Sequence, residues 1–254
     1  MEQRAKNQGG YQGERIDIQA VLEDDLAAVR RHGWQVDRLP AAAGLDLLAF
    51  RRESSRPQRK VYISTGIHGD EPAGPLAMRQ LLQENRWPEE VSLWLCPCLN
   101  PAGFPLNRRL AGAGIDPNRD YLHLRTAEIR THVAWLEQQP RFDLALCLHE
   151  DWESAGFYVY ELNPNRQPSL AEKMTRAVEA VCPIDPSPVI EGREASGGII
   201  RPDLDPAKRP EWPESFYLIM NKTRLSYTLE APSELALATR VAALSAAVQA
   251  ALGE

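Results

Sequence analysis

The stretch KVYISTGIHGDEP, Lys60 to Pro72, decides the fold that this sequence predicts. Its first part, Lys60 to Thr65, is short and β-branched and ends at Gly66, which is typical of a strand that runs into a loop. The residues from Glu71 to Asn85 predict a helix, with Pro72 near the first turn, where proline is tolerated. A strand, a loop and a helix in this order are the building unit of an α/β domain.

The same alternation continues on both sides of this stretch. Helices are predicted at residues 16–31, 126–138, 169–181 and 233–252, and strands at 34–39, 45–51, 91–98, 142–148, 157–162 and 225–229. Ser233 is expected to cap the last helix, and residues 189–224, rich in Pro and Gly, are expected to be irregular. We therefore expect a flexible segment at 1–13 and a single α/β domain at 14–254, with a central, mixed but largely parallel twisted sheet and helices on both faces.

Composition narrows the class of protein. The chain has 254 residues, of which 43% are hydrophobic and 25% charged, as in soluble globular proteins. A formal net charge of -6 argues against a general surface for nucleic acid or an anionic membrane. The polar start, MEQRAKNQGGYQGER, lacks the apolar core of a signal peptide. These features predict a cytoplasmic protein with no nucleic-acid or membrane partner, and they leave the oligomeric state open.

Polar residues follow several of the predicted strands directly, namely His68, Asn100, His149 and Glu230. Ligands bind beyond the carboxyl ends of strands in such sheets. A catalytic zinc ion uses three protein ligands and leaves a fourth position for water. An isolated H-x-x-E is more often a core histidine beside a surface glutamate, but these neighbours reverse that preference. The sequence therefore predicts one Zn²⁺ ion held by His68, Glu71 and His149.

Several short segments, in this order along residues 60–233, resemble the zinc carboxypeptidases of the carboxypeptidase A-like family. That family also includes murein peptide amidases and, more distantly, succinylglutamate desuccinylase and aspartoacylase. The matching segments are His68-Gly-Asp-Glu71, Asn100-Pro-Ala-Gly-Phe104, Arg109, Gly114-Ile-Asp-Pro-Asn-Arg119, His149, Ala195-Ser-Gly-Gly198 and Thr228-Leu-Glu230. Together they are specific, whereas each segment alone is weak evidence.

The resemblance implies catalytic roles for residues around the metal. Glu230 matches the general base, which takes a proton from water and passes it to the leaving amine. Arg109 matches the residue that polarises the scissile carbonyl and stabilises the oxyanion, although the adjacent Arg108 leaves the register open. Asp116 matches an outer-shell carboxylate that accepts the second ring N–H of the first histidine. An Asx turn is an equally compatible role for Asp116.

The resemblance also implies how substrate is bound. Asn118 and Arg119 match the pair that holds the free α-carboxylate of a peptide. Arg193 stands where the digestive enzymes carry a mobile tyrosine. We expect the side-chain pocket near Ile199, Ile200 and Arg201, with Arg193 and Arg201 binding an extra negative charge of the substrate, unless both are simply solvated.

These residues predict a zinc-dependent metallocarboxypeptidase. It would hydrolyse an amide bond at the carboxyl end of a small peptide, acidic or cell-wall-derived. One alternative is an N-acyl amino acid amidohydrolase of the succinylglutamate desuccinylase and aspartoacylase type, which uses the same metal ligands. A non-catalytic module that binds peptide carboxylates is the alternative from outside the enzymes, and Glu230 argues against it.

Overall fold

The computed structural model describes residues 14–41, 44–112 and 114–253, so the predicted flexible segment 1–13 lies outside the described residues. The described helices are α1 (Ile18–Arg31), α2 (Ala73–Glu84), α3 (Ala127–Gln138), α4 (Ala171–Glu179), α5 (Glu214–Asn221) and α6 (Leu237–Leu252). The strands are β1 (Gln35–Pro40), β2 (Asp46–Arg52), β3 (Arg59–Ser64), β4 (Val91–Cys96), β5 (Leu144–Asp151), β6 (Tyr158–Leu162), β7 (Val189–Ile190), β8 (Arg193–Ser196), β9 (Ile199–Ile200) and β10 (Ser226–Pro232).

All these strands form one sheet in the order β1-β2-β4-β3-β5-β10-β6-β9-β8-β7. The four central strands, β4, β3, β5 and β10, run parallel to one another. Antiparallel pairs lie outside them, with β2 on β4 and β6 on β10. The prediction of a mixed sheet with a parallel centre is therefore confirmed.

The central strands are buried on both faces, and successive side chains enter different cores because side chains alternate along a strand. On β3, Val61 and Ile63 pack into the core formed with α1, α2, α4 and α6. Tyr62, between them, packs into the core formed with α3 and α5. A strand covered on both faces explains the near-continuous apolar runs in the sequence.

Two sequence predictions about the second half of the chain are wrong in detail. Residues 189–224 are not wholly irregular, since they contain β7, β8, β9 and the short helix α5. Ser233 does not cap the last helix, because α6 begins at Leu237 after Ala236 and has no side-chain cap. The Ser233 hydroxyl instead donates to Glu150 at 3.3 Å.

None of the helices in the described ranges combines the length and apolar character that crossing a bilayer requires.

Candidate metal centre

The carboxyl ends of the central parallel strands bring distant residues together. His68 and Glu71 lie in the loop between β3 and α2, and His149 lies near the end of β5. Glu230 lies on β10, directly opposite His149 in the parallel register. A cavity of about 470 Å³ opens at this edge, and all four residues line it.

His68, Glu71 and His149 form a buried cluster that we call the metal corner. The Glu71 carboxylate bridges the two imidazoles, with Oε1 2.5 Å from Nδ1 of His68 and Oε2 2.9 Å from Nδ1 of His149. One potential ligand atom from each residue lies within 4.8 Å of the other two. Two imidazole nitrogens and a carboxylate are a donor set that suits zinc, so the residues present fit a single ion.

The charge states of these residues depend on one another. Burial disfavours the charged form of Glu71, yet the two imidazoles hold the pKa of Glu71 well below its usual range. Burial lowers the pKa of His68, but the charge of Glu71 together with the hydrogen bonds to Asp116 and Glu71 raises it above its ordinary value. Burial lowers the pKa of His149 despite the same carboxylate. The corner therefore presents an ionised carboxylate, which a divalent cation requires.

Glycines explain why the chain can form this corner. The backbone N–H of Gly69, between His68 and Glu71, donates to the carbonyl of Arg108 at 3.0 Å. A Cβ at Gly69 would come within 2.2 Å of the backbone of Gly103, and a Cβ at Gly103 would come within 2.7 Å of the Asn100 side chain. The His-Gly-Asp-Glu and Asn-Pro-Ala-Gly-Phe segments therefore pack directly against each other.

Asp116 connects the metal corner to the next loop. Its Oδ1 lies 3.2 Å from Nε2 of His68 and accepts from the backbone N–H of Asn118 at 2.8 Å. Its Oδ2 accepts from Nε of Arg109 at 3.0 Å. Both roles considered for Asp116, the partner of the histidine ring and the turn residue, thus occur together.

Arg109 lies beside the metal corner, whereas Arg108 does not. The Nη1 atom of Arg109 is 3.5 Å from Oε1 of Glu71, and the side chain lines the cavity. Arg108 is exposed and contributes its backbone carbonyl to the loop contact with Gly69. This geometry favours Arg109 over Arg108 as the residue facing substrate.

Glu230 stands on the cavity wall next to the metal corner. Burial raises its pKa well above the usual range, and the negative charges of Glu71 and Asp151 raise it further. Thr228, two residues earlier on β10, also lines the cavity, as the alternation of a strand requires.

The cavity lining also carries polar and cationic groups, which we call the arginine wall: Asn118, Arg119, Arg193 and Arg209. The Asn118 Oδ1 accepts from the backbone N–H of Glu214 at 2.9 Å. The Arg119 Nη1 donates to the Asn118 carbonyl at 2.8 Å. Arg119, Arg193 and Arg209 also line a second pocket together, and burial and the charge of Arg193 lower the pKa of Arg209.

One predicted substrate residue lies elsewhere. Arg201 is not among the cavity-lining residues, because its guanidinium pairs with Glu161 at 2.6 Å and with Glu172 at 2.7 Å. Ile199 and Ile200 are buried in the fold and do not line the cavity either. The structure therefore places the Arg201 guanidinium outside the cavity, paired with two intramolecular carboxylates, and its contact with substrate stays a prediction.

Sequence reasoning did not single out Arg209, Tyr158 and Tyr160, which line the cavity. Arg209 lies in a Pro-rich loop, where no periodic pattern indicates which side chains face inward; its guanidinium is 4.6 Å from the ring centre of Phe216. Tyr158 and Tyr160 line the cavity from β6, and the Tyr158 hydroxyl donates to Asp151 at 3.0 Å. Their spacing of two along a strand was the available signal. The guanidinium carbon of Arg193 lies 5.9 Å from the ring centre of Tyr160.

Comparison with known proteins identifies the family. Residues 57–190 match the family described as the succinylglutamate desuccinylase/aspartoacylase catalytic domain. That match covers more than half of the chain and contains His68, Glu71 and His149. The chain belongs to this family, and the predictions of a zinc carboxypeptidase-like family and of an enzyme are confirmed.

Solved structures and curated relatives agree with this placement. A candidate metallopeptidase from Shewanella amazonensis has a TM-score of 0.80 at 25% identity, over 92% of this chain and 91% of that one. A metallo-carboxypeptidase from Burkholderia cenocepacia has a TM-score of 0.66 at 18% identity, over 90% of this chain and 66% of that one, and so shares the fold. Carboxypeptidase 2 of Trichophyton rubrum is 35% identical over 85 residues, which are 30% of this chain and 16% of that protein. The matched part thus spans a small fraction of that relative's length.

Proposed function

We propose that this protein is a zinc-dependent hydrolase that cleaves an amide bond at the carboxyl end of a small peptide. The observation that supports this most is the placement of the metal corner and the arginine wall in one cavity. The metal corner offers a site for hydrolysis, and the wall offers donors for a carboxylate in the same cavity. A peptide that places its terminal carboxylate on the wall would present its last amide bond to the corner.

His68, Glu71 and His149 would hold the zinc ion. Bound zinc would lower the pKa of water toward about 7 and polarise a carbonyl oxygen. Asp116, next to Nε2 of His68, fixes the orientation and tautomer of that ring.

Glu230 would act as general base and then as general acid. Its raised pKa makes the ionised carboxylate a stronger proton acceptor than an exposed glutamate. After accepting a proton from the attacking water, the same group can deliver it to the nitrogen of the leaving amine.

Arg109 would donate to the oxyanion that develops as the amide carbonyl is attacked. Its Nε is already fixed by Asp116, so its outer nitrogens can be held ready for the new charge. Groups oriented in advance stabilise a transition state without the cost of reorganisation, and loss of one such donor typically costs about 3 kcal/mol.

The arginine wall would bind the leaving part of the substrate. Asn118 and Arg119 would hold the α-carboxylate, through an amide N–H and a planar guanidinium fork. Arg193 and Arg209 add two positive charges at the same end of the cavity, which favours a substrate with a second acidic group. We therefore propose acidic or cell-wall-derived peptides as substrates.

A direct test compares a panel of free dipeptides with acetyl- and succinyl-amino acids, using zinc-loaded protein. Release of the carboxyl-terminal residue from dipeptides is expected, with the fastest turnover for acidic residues. Cleavage of the acyl-amino acids alone would reject the peptidase proposal. It would support the second candidate, an N-acyl amino acid amidohydrolase, which the family match specifically favours.

The identity of the metal and the cellular compartment are separate proposals. Metal analysis of purified protein is expected to give one zinc ion per chain. All four cysteines are buried free thiols, which agrees with a reducing compartment such as the cytoplasm. Absence of turnover with the full panel after zinc loading would favour the non-catalytic binding module.

A further inference from the structure

Glu214, the first residue of α5, is a buried carboxylate that the proposed chemistry does not use. It is only 1% exposed. Its Oε1 accepts from the Tyr62 hydroxyl at 2.7 Å and its Oε2 accepts from the Ser64 hydroxyl at 2.8 Å. Burial raises the pKa of Glu214 to about 7. A buried carboxyl group lowers the stability of the fold unless its hydrogen bonds are complete. The hydrogen-bond partners of Glu214 therefore indicate its role.

The two hydroxyl donors belong to β3, the strand that leads to the metal corner. Tyr62 gives its proton to Glu214, so its oxygen is free to accept from Nε2 of His132 at 2.9 Å. Nδ1 of His132 then accepts from the Tyr121 hydroxyl at 2.8 Å. Burial lowers the pKa of His132 to about 3, which keeps the ring neutral as this arrangement requires. The carboxylate is therefore one end of a fully bonded buried network.

The backbone of Glu214 reaches in the other direction, toward the arginine wall. Its N–H donates to Oδ1 of Asn118. An N–H can only donate, so the amide oxygen of Asn118 faces α5 and the amide nitrogen is left for the cavity that this residue lines. Glu214 is flanked by Pro213, Ser215 and Phe216, all of which line the cavity. One residue thus contacts both β3 and the wall.

We propose that Glu214 is a positioning residue that anchors the first turn of α5 to β3 and thereby holds Asn118 and the adjoining wall at a fixed place relative to the metal corner. This inference rests on the proposed role of the wall in carboxylate binding. A merely structural role would affect stability and all substrates alike. A positioning role affects substrates with a free α-carboxylate selectively.

The test compares Glu214→Ala with Glu214→Gln, each with a pair of dipeptides that differ only in a free or amidated carboxyl end. In Glu214→Ala the KM for the free acid is expected to rise about tenfold, within the ~100-fold that a misplacement of about 1 Å can cost, with kcat within about twofold. The KM for the amide should stay near the parent value. Glutamine keeps an oxygen that can accept from Tyr62 and a nitrogen that can donate to Ser64, so Glu214→Gln should restore most of the preference.

Glu161 supplies the matched control. It is also buried and accepts from a tyrosine hydroxyl, that of Tyr227 at 3.1 Å, but it does not line the cavity or contact Asn118. Glu161→Ala is expected to lower the melting temperature without changing the ratio of KM values for acid and amide. If Glu214→Ala does not fold, Tyr62→Phe combined with Ser64→Ala removes the two hydroxyl donors and should shift KM in the same direction.

A binding measurement separates this inference from the proposed function. Calorimetry with L-glutamate and its α-amide reports carboxylate recognition without turnover. Three results together support the positioning role: the parent protein binds the acid more tightly than the amide, Glu214→Ala loses this preference, and adding Asn118→Ala causes no further loss. They support it even if no peptide is hydrolysed. Equal losses for acid and amide, additive effects of the two substitutions, or a parent with no preference for the acid would overturn it.

Discussion

The metal corner and the arginine wall share one cavity, but different parts of the fold build them. The metal corner lies at the ends of β3 and β5, and its residues are buried. The arginine wall is built from the short turn Pro117–Arg119, the first residue of β8 and the loop before α5, and Arg119 and Arg193 are exposed. Neighbouring parallel strands hold the metal corner by backbone hydrogen bonds, whereas the wall draws on segments outside the parallel centre of the sheet.

This difference suggests how function is divided between the regions. The reaction requires ligands at fixed distances, and a paired sheet provides them. Substrate choice can vary through loops without disturbing the sheet. We therefore expect substitutions in the metal corner to abolish turnover and substitutions in the wall to change which substrate is preferred.

The largest effect is expected from His149→Ala. Loss of a direct ligand should weaken zinc binding by more than the ~10–100-fold that loss of an outer hydrogen-bond partner costs. Metal analysis after dialysis should find little zinc, and hydrolysis should fall below detection. His32→Ala, a change at the exposed end of α1, is the control and should keep both properties. Full zinc content and turnover in His149→Ala would show that the corner is not the metal site.

Glu230→Gln should have the next largest effect. Removing a general acid–base group lowers kcat by about 10²–10⁴-fold, while zinc content should stay unchanged because Glu230 is outside the set of ligands. Single-turnover kinetics measures the rate of the chemical step, and metal analysis of the same sample measures the zinc content. The buried Glu161 on the neighbouring strand, changed to Gln, should retain normal kcat. Unaltered kcat in Glu230→Gln would remove the residue from the chemistry.

A smaller effect is expected at the wall. Arg193→Met and Arg209→Met should each raise KM for a dipeptide ending in glutamate by about fivefold, since a partly exposed ion pair contributes up to ~1 kcal/mol. The increase in KM caused by each substitution should be smaller at high salt, because salt screens the ion pair. Arg201→Met should leave KM unchanged, because its guanidinium is bound to Glu161 outside the cavity. An effect of Arg201 equal to that of Arg209 would restore the role predicted from sequence.

Asp25 gives a comparison with Glu71, because both are buried carboxylates. Neither oxygen of Asp25 has a hydrogen-bond partner among the described residues, and burial raises its pKa to about 8. The folded state therefore keeps a proton that the unfolded state loses above its ordinary pKa near 3.8. The contribution of Asp25 to stability is then fully present below its ordinary pKa near 3.8 and is lost as pH rises toward 8, by at most about 1.4 kcal/mol per unit.

Asp25→Asn should remove this slope and raise the free energy of unfolding at pH 8, with little change in kcat. Urea unfolding at several pH values measures the free energy of unfolding and its slope with pH. A slope in the variant equal to that of the parent would assign the pH dependence to other groups. Glu71, by contrast, is stabilised in its ionised form by two imidazoles.

Much of the site followed from sequence because its residues lie at strand ends. Buried strands have a clear apolar pattern, and His149 and Glu230 come directly after such runs. The wall was harder to predict. Arg201 and Arg209 both lie near the Pro-rich loop, and sequence spacing does not say which guanidinium meets an internal carboxylate and which meets the cavity. Helix α5 was missed because eight residues after a proline show too few turns for a helical period to be recognised.

The sequence alone determined the alternation of strands and helices, the parallel centre of the sheet and the donor types at its carboxyl edge, because these depend on local periodicity and on motif chemistry. Only the tertiary structure decided that Arg209 lines the cavity while Arg201 does not, and that Glu214 contacts both β3 and Asn118. These contacts join residues far apart in the chain, and they depend on which charged side chains form ion pairs when the loops pack.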